Sequence, residues 1–206
     1  MRIGNLPATS FGIATAILLV TTPAWSEKNY GPGASDTEIK IGQTMPYSGP
    51  ASAYSWIAKA QAAYFRMLND QGGVNGRKIN LISLDDGYNP SKTVEQTRRL
   101  IEQEQVLMLY QRLGTASNTA IMKYTNQKKV PHIFAAVGAV KFSDPKANPW
   151  TMLWQPPFQH EMHIISRYIL KNLPNAKVAV LYQNDDFGKD ALTGVYEGFG
   201  AERGRM

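Results

Sequence analysis

Two groups of residues in this chain have side chains suited to catalysis or metal binding. Asp85-Asp86 is a pair of adjacent carboxylates, groups that serve as general acids and bases or hold cations. His160-Glu161-Met162-His163 sets two imidazoles three residues apart, a spacing that places them on one face of a helix. Neither group meets the needs of its chemistry. The carboxylates close a strand pattern and precede a turn and a capped helix, where acidic side chains serve the turn itself. The histidines lack the spacing of a metalloprotease helix, and no third ligand is evident. Ser48 and Ser117 have no nucleophile-elbow context, and the three histidines (His132, His160, His163) have no partner that would make one a base. The chain has no cysteine, which removes thiol catalysis, thiolate metal sites and disulfides together. The expectation is a non-enzymatic protein with no cofactor and no metal.

The elements that would position a binding site are easier to read. Ile39 to Met45 is a short strand pattern stopped by Pro46-Tyr47-Ser48-Gly49-Pro50. From Tyr54 to Leu68 the apolar residues Ile57, Ala60, Tyr64, Phe65 and Leu68 recur at helical spacing. Gly72-Gly73 ends that helix, and Lys78 to Leu84 is the next strand. Asn89-Pro90 is a cap and first-turn proline for a helix reaching about Gln103, with Val94, Leu100 and Ile101 inward. Val106 to Tyr110 reads as a strand covered on both faces. A helix over Ala116 to Gln127 and a strand over His132 to Ala136 follow. After an irregular stretch, Trp150 to Gln155 is again strand-like, and Pro156-Pro157 marks a crossing between domains. Beyond it come a helix over Phe158 to Asn172 with Ile164, Ile165, Tyr168 and Ile169 inward, a strand over Lys177 to Tyr182, and a helix from Asp190 to Phe199. A β-α-β rhythm with a polar loop after its first strand is a setting in which α/β proteins bind small molecules. Glycines at 198, 200 and 204 follow a helix rather than a strand, with one residue too many for a dinucleotide loop.

Composition bounds the class. The chain has 206 residues, 43% of them hydrophobic, enough for a core. The formal charge of +6 is spread along the chain, so no nucleic-acid surface is expected. Arg2, the apolar run Phe11 to Val20 and the small residues Ala24 and Ser26 make residues 1–26 a signal peptide by pattern, cleaved before Glu27. Export to the periplasm follows. Residues 27–37 read as a loose arm.

The ordered set of short motifs carries a family resemblance. Ile39-Lys40-Ile41-Gly42, Ser48-Gly49-Pro50, Gly72-Gly73-Val74-Asn75-Gly76-Arg77-Lys78-Ile79, Asp85-Asp86 and Asn89-Pro90 come first. Lys128-Lys129-Val130-Pro131, Lys177 to Tyr182 and Asp185-Asp186-Phe187-Gly188-Lys189-Asp190 follow in the same order. The chain from about residue 38 to 200 resembles the branched-chain amino-acid (Leu/Ile/Val-type) substrate-binding proteins of ABC transporters. The resemblance implies the type I periplasmic-binding-protein fold, α/β, with two lobes that each hold a mostly parallel sheet flanked by helices. On that pattern residues 38–155 form the first lobe and 156–206 part of a second. It implies a monomer that captures a small amino acid, aromatic acid or amide between the lobes and docks on ABC permease subunits.

By the same resemblance, four loops supply ligand contacts. Ser48 and Tyr54 belong to the first. Thr115, in the second, is the position at which relatives hold a ligand carboxylate, and its hydroxyl also suits the cap of the helix that follows. Ala136 and Gly138, in the third, offer backbone groups; relatives often carry a threonine hydroxyl where Gly138 stands. Phe187, in the fourth, replaces a frequent tyrosine, and Phe158 stands where an acid facing the ligand amine is expected. Two phenylalanines imply an apolar or aromatic ligand body. Members of this family are about twice as long, so the second lobe is expected to be incomplete, with exposed apolar surface and weak or no ligand binding. The alternatives are a sensory module of the same fold, a truncated non-binding remnant, and a secreted enzyme, which would need a nucleophile–base pair.

Overall fold

The computed structural model describes residues 28–205; the signal-peptide pattern lies outside them. Five strands form one parallel sheet: β1 (Glu38–Met45), β2 (Lys78–Asp85), β3 (Met108–Tyr110), β4 (His132–Ala135) and β5 (Thr151–Leu153). Their order is β2-β1-β3-β4-β5. The helices α1 (Ser55–Asp70), α2 (Pro90–Arg98) and α3 (Thr115–Lys128) make the crossovers that parallel strands require. Asn89 caps α2, its side chain accepting from the N–H groups of Ser91 and Lys92. The helix continues to Gln103, as its period suggests, but the last turn over Arg99–Gln103 widens to a π-helix. Leu100, Val106, Leu109 and Ile121 form the core between sheet and α2/α3, with Val94 and Ile101 packed against it.

The core of the sheet also holds charge. Arg112 is 1% exposed. Its Nε and Nη2 donate to Thr44 Oγ1 at 3.0 and 2.9 Å, and that hydroxyl donates to Asp86 Oδ2 at 2.8 Å. Thr93 Oγ1 donates to the same carboxylate oxygen at 3.0 Å. Burial pushes the guanidinium down to about 10, opposed by the Asp86 charge, so it stays ionised at neutral pH. His132 lies in the same buried region, and its Nε2 has no hydrogen-bond partner. Burial, reinforced by the Arg112 charge, holds this imidazole down to about 3. An unfolded histidine titrates near 6.5, so the unfolded chain takes up the proton first as pH falls. The contribution of the neutral imidazole is complete above about pH 6.5 and shrinks as pH is lowered towards 3. His132→Leu is therefore expected to unfold with a flatter pH dependence than wild type between pH 6.5 and 4, measured by urea titration. Parallel slopes for the two proteins would remove this imidazole as the source.

The part after Pro156-Pro157 departs from expectation. Helix α4 (Phe158–Asn172) keeps the expected bounds, but its buried side is not the one the period suggests. Ser166 is buried and meets Gly198 of α5 (Asp186–Phe199), whereas Ile164, Ile165 and Tyr168 are exposed. Of the four residues expected inward, only Ile169 is partly covered. Lys177 to Tyr182 forms no strand, and Leu181 is fully exposed. The reason is common to both. A strand exists through its hydrogen-bonded neighbour, and among the described residues none lies beside this segment. Without that sheet, no described residue buries Ile164, Ile165 and Tyr168 on the outer face of α4. Helix α5 begins four residues before its expected start, because Asp185 caps it, accepting from the N–H groups of Phe187 and Gly188. On the first part of the chain, Phe65, Tyr110, Phe134 and Trp154 form an edge-to-face row at centroid spacings of 5.7, 6.3 and 6.5 Å, partly open to solvent at Phe134 and Trp154.

Candidate ligand-binding site

The strand order reverses beside β1. The chain goes from β1 outward to β2, then returns to place β3 on the other side. At such a switch point the loops leaving the two central strands diverge and open a crevice at their carboxyl ends. A cavity of about 410 Å³ lies there. Ala51 and Tyr54 reach it from the β1 loop and Tyr88 from the turn after β2. Gly114 and Thr115 come from the β3 loop, Ala136 follows β4, and Gln155 follows β5. Phe158, at the first turn of α4, and Gln183 and Phe187, around the start of α5, close the far side.

Each loop is held by its own device. Asp85 anchors the β1 loop: its Oδ1 accepts from the N–H groups of Tyr47, Ser48 and Gly87, and its Oδ2 from Ser48 Oγ and Lys92 Nζ. Burial raises its pKa, but the hydrogen bonds from Lys92, Ser48 and Gly87 outweigh it and hold the carboxyl well below the usual range. The pair Asp85-Asp86 thus tethers loops rather than facing the cavity. Gly114 has φ +100, and a Cβ there would stand 2.7 Å from the Tyr88 ring. Only glycine permits both that backbone and the ring contact. Gly114, not Thr115, is the N-cap of α3, so no side chain caps the helix and Thr115 is its first residue. Thr115 is 2% exposed and lines the cavity. Phe158 meets Phe187 edge to face at 4.9 Å. Its ring occupies the space beside Gly138, where a Cβ would lie 2.9 Å from the ring and 2.6 Å from the Pro156 carbonyl.

Of the residues singled out in the sequence, Tyr54, Thr115, Ala136, Phe158 and Phe187 line one cavity. Ser48 and Gly138 do not: Ser48 is turned to Asp85, and Gly138 backs the Phe158 wall. Tyr88, Gln155 and Gln183 were not anticipated. Tyr88 carried a usable signal, since it follows Asp85-Asp86-Gly87 directly at a strand's carboxyl end; its φ of +60 shows how sharply the turn aims it. Burial raises the Tyr88 pKa, opposed by a hydrogen bond with Gln183. His160 and His163 do not line the cavity, and among the described residues no cluster of three metal-binding side chains exists. No helix among them is long and apolar enough to cross a membrane.

Comparison with known proteins agrees with this architecture. Residues 38–205 match the family described as periplasmic binding protein. An amino acid binding protein of Pseudomonas aeruginosa is 23% identical over 163 residues, covering 74% of this chain and 41% of the relative. A substrate-binding periplasmic protein from Ralstonia solanacearum superposes with a TM-score of 0.72 at 28% identity, over 79% of this chain and 46% of that one. A solute-binding protein of an ABC transporter from Rhodopseudomonas palustris, solved in complex with 3,4-dihydroxy benzoic acid, gives 0.68 at 28% identity, over 80% and 44%. The chain spans about two fifths of the length of the curated relatives it matches. The parallel sheet, its flanking helices and a second lobe represented only in part are those of the type I fold. With its sheet, its crevice and the match over residues 38–205 in agreement, this chain belongs to the periplasmic binding protein family.

Proposed function

We propose that this chain serves outside the cytoplasm as the small-molecule-binding component of an ABC importer. It captures its ligand in the crevice between residues 38–155 and the segment from Phe158 onward. The observation that carries the reading is the convergence of five strand-end loops with Phe158, Gln183 and Phe187 on one cavity, in whose lining no nucleophile–base pair stands among the described residues. Contacts from both segments give a ligand the means to favour a closed arrangement, because a ligand shifts such an equilibrium only by binding one state better. Export through the signal-peptide pattern, docking on permease subunits and a monomeric state belong to the same reading.

The test is a thermal-shift screen of amino acids, aromatic acids and short amides on the purified chain. A true ligand at a hundred times its dissociation constant stabilises by about 2.7 kcal/mol. A chain that no compound stabilises, but that hydrolyses small esters or amides, would overturn the reading. Within it, the hydroxyl of Thr115, which lines the cavity, is the anchor for an anionic group. A hydrogen bond to a charged partner is worth about 1.5–3 kcal/mol, so Thr115→Val is expected to weaken binding by roughly ten- to a hundredfold in calorimetry. Equal affinities of variant and wild type would remove Thr115 from the site.

A further inference from the structure

We propose that the ion pair Lys141–Asp186 is a salt-sensitive latch that favours the closed arrangement of the crevice before any ligand arrives. The inference rests on the reading of residues 38–155 and the segment from Phe158 onward as two parts facing one crevice. Among the described residues, the ion pairs Lys28–Asp36, Lys92–Asp85, Arg99–Glu104 and Lys128–Glu102 each lie before the crossing at Pro156-Pro157. Lys141–Asp186 alone joins the two parts. A second bond runs beside it: the Val140 N–H donates to Asp190 Oδ2 at 3.4 Å, one turn along α5 from Asp186.

Each partner is anchored in its own part. Lys141 sits in a short 3₁₀ turn, Val140–Phe142, whose Phe142 side chain is buried with Ala135, Val137 and Ala139. The Lys141 carbonyl accepts from Asn148 Nδ2 at 3.0 Å. Asp186 opens α5, directly after the Asp185 cap. Helix α5 lies hard against α4: a Cβ at Gly194 would stand 2.2 Å from the Gln159 carbonyl oxygen, and one at Gly198 2.4 Å from the Ser166 Cβ. Gln159 Nε2 also donates to Asp190 Oδ1 at 2.9 Å. A pull on Asp186 is therefore passed to the α4–α5 unit, not lost in a loose loop. The next residue, Phe187, is cavity wall and meets Phe158 edge to face, so holding Asp186 holds that wall. The hydrogen bond and charge of Lys141 keep the Asp186 carboxyl below its usual range, and it is ionised at neutral pH. The two side chains are 36% and 53% exposed, so salt reaches the pair. Exposed pairs of this kind change an equilibrium by up to about fivefold. A latch of that size tips the balance without fixing it, and ligand contacts add to it.

The full chain has no cysteine, so spin labels go only where cysteines are introduced. Labels at Glu95→Cys on α2 and Arg167→Cys on α4, both exposed positions, report the separation of the two parts by double electron–electron resonance without ligand. Lys141→Met and Asp186→Asn are each expected to lower the ratio of short to long separations by about two- to fivefold. Each acts through the other, so the double variant should shift the ratio no further. Raising the salt from about 0.05 to about 0.5 M should move the wild-type ratio in the same direction and leave that of Lys141→Met unchanged. Equal distributions in wild type and both single variants, a wild-type ratio indifferent to salt, or additive shifts in the double variant would each overturn the latch. None of these readings involves a ligand, so that failure leaves the ligand-binding reading to the thermal-shift screen.

Discussion

Arg112→Met is expected to lose about 3–5 kcal/mol of folding stability, the usual cost of leaving a buried charge without its partner. Arg112 and Asp86 are both buried at the carboxyl ends of β3 and β2, linked through the Thr44 hydroxyl. With methionine at 112, the Asp86 carboxylate keeps hydrogen bonds from Thr44, Thr93 and the N–H of Tyr88 but loses the opposing charge. Stabilities of single domains are about 5–15 kcal/mol, so the variant should show a much lower denaturation midpoint and a reduced soluble yield. Asp86→Asn in the same chain removes the stranded charge. The double variant is therefore expected to be less destabilised than the two single losses added together. Strict additivity in that cycle, or a single variant with the wild-type midpoint, would show the two charges to be uncoupled.

The second large effect is expected at Gly138. Its added Cβ would stand 2.6 Å from the Pro156 carbonyl oxygen, a backbone atom that cannot swing aside, and 2.9 Å from the Phe158 ring. The Gly138 carbonyl accepts the hydrogen bond of the Phe158 N–H, which joins the sheet to the start of α4. Gly138→Ala must therefore push the crossing outward and carry Phe158 off the cavity wall. Overpacking of this kind costs about 1–3 kcal/mol. A lower melting temperature and weaker binding of apolar ligands are expected together. Phe158→Ala should reproduce the loss of binding without the strain at residue 138. A Gly138→Ala protein that melts and binds like wild type would show that the crossing yields freely and that the ring is not held there.

The alternation of strand and helix from Ile39 to Ala136 was legible in the residues themselves. Period, caps and glycine stops are written locally, and β1, α1, β2, α2, α3 and β4 stand within a few residues of where those signals put them. The motif order likewise carried the family. The site was partly legible: Tyr54, Thr115, Ala136, Phe158 and Phe187 lie in loops that the β-α-β reading already placed at strand ends. Tyr88, Gln155 and Gln183 come together only because the sheet order reverses beside β1, and sheet order is a property of pairing between distant segments. The same holds where the periodic reading failed. The apolar pattern of Lys177 to Tyr182 and the outer stripe of α4 state what these segments could bury, but burial needs a neighbour. Local sequence determined which backbone conformations were favoured and which faces were apolar. Tertiary structure decided which of those faces met a partner, because strand pairing and packing are contacts between segments far apart in the chain.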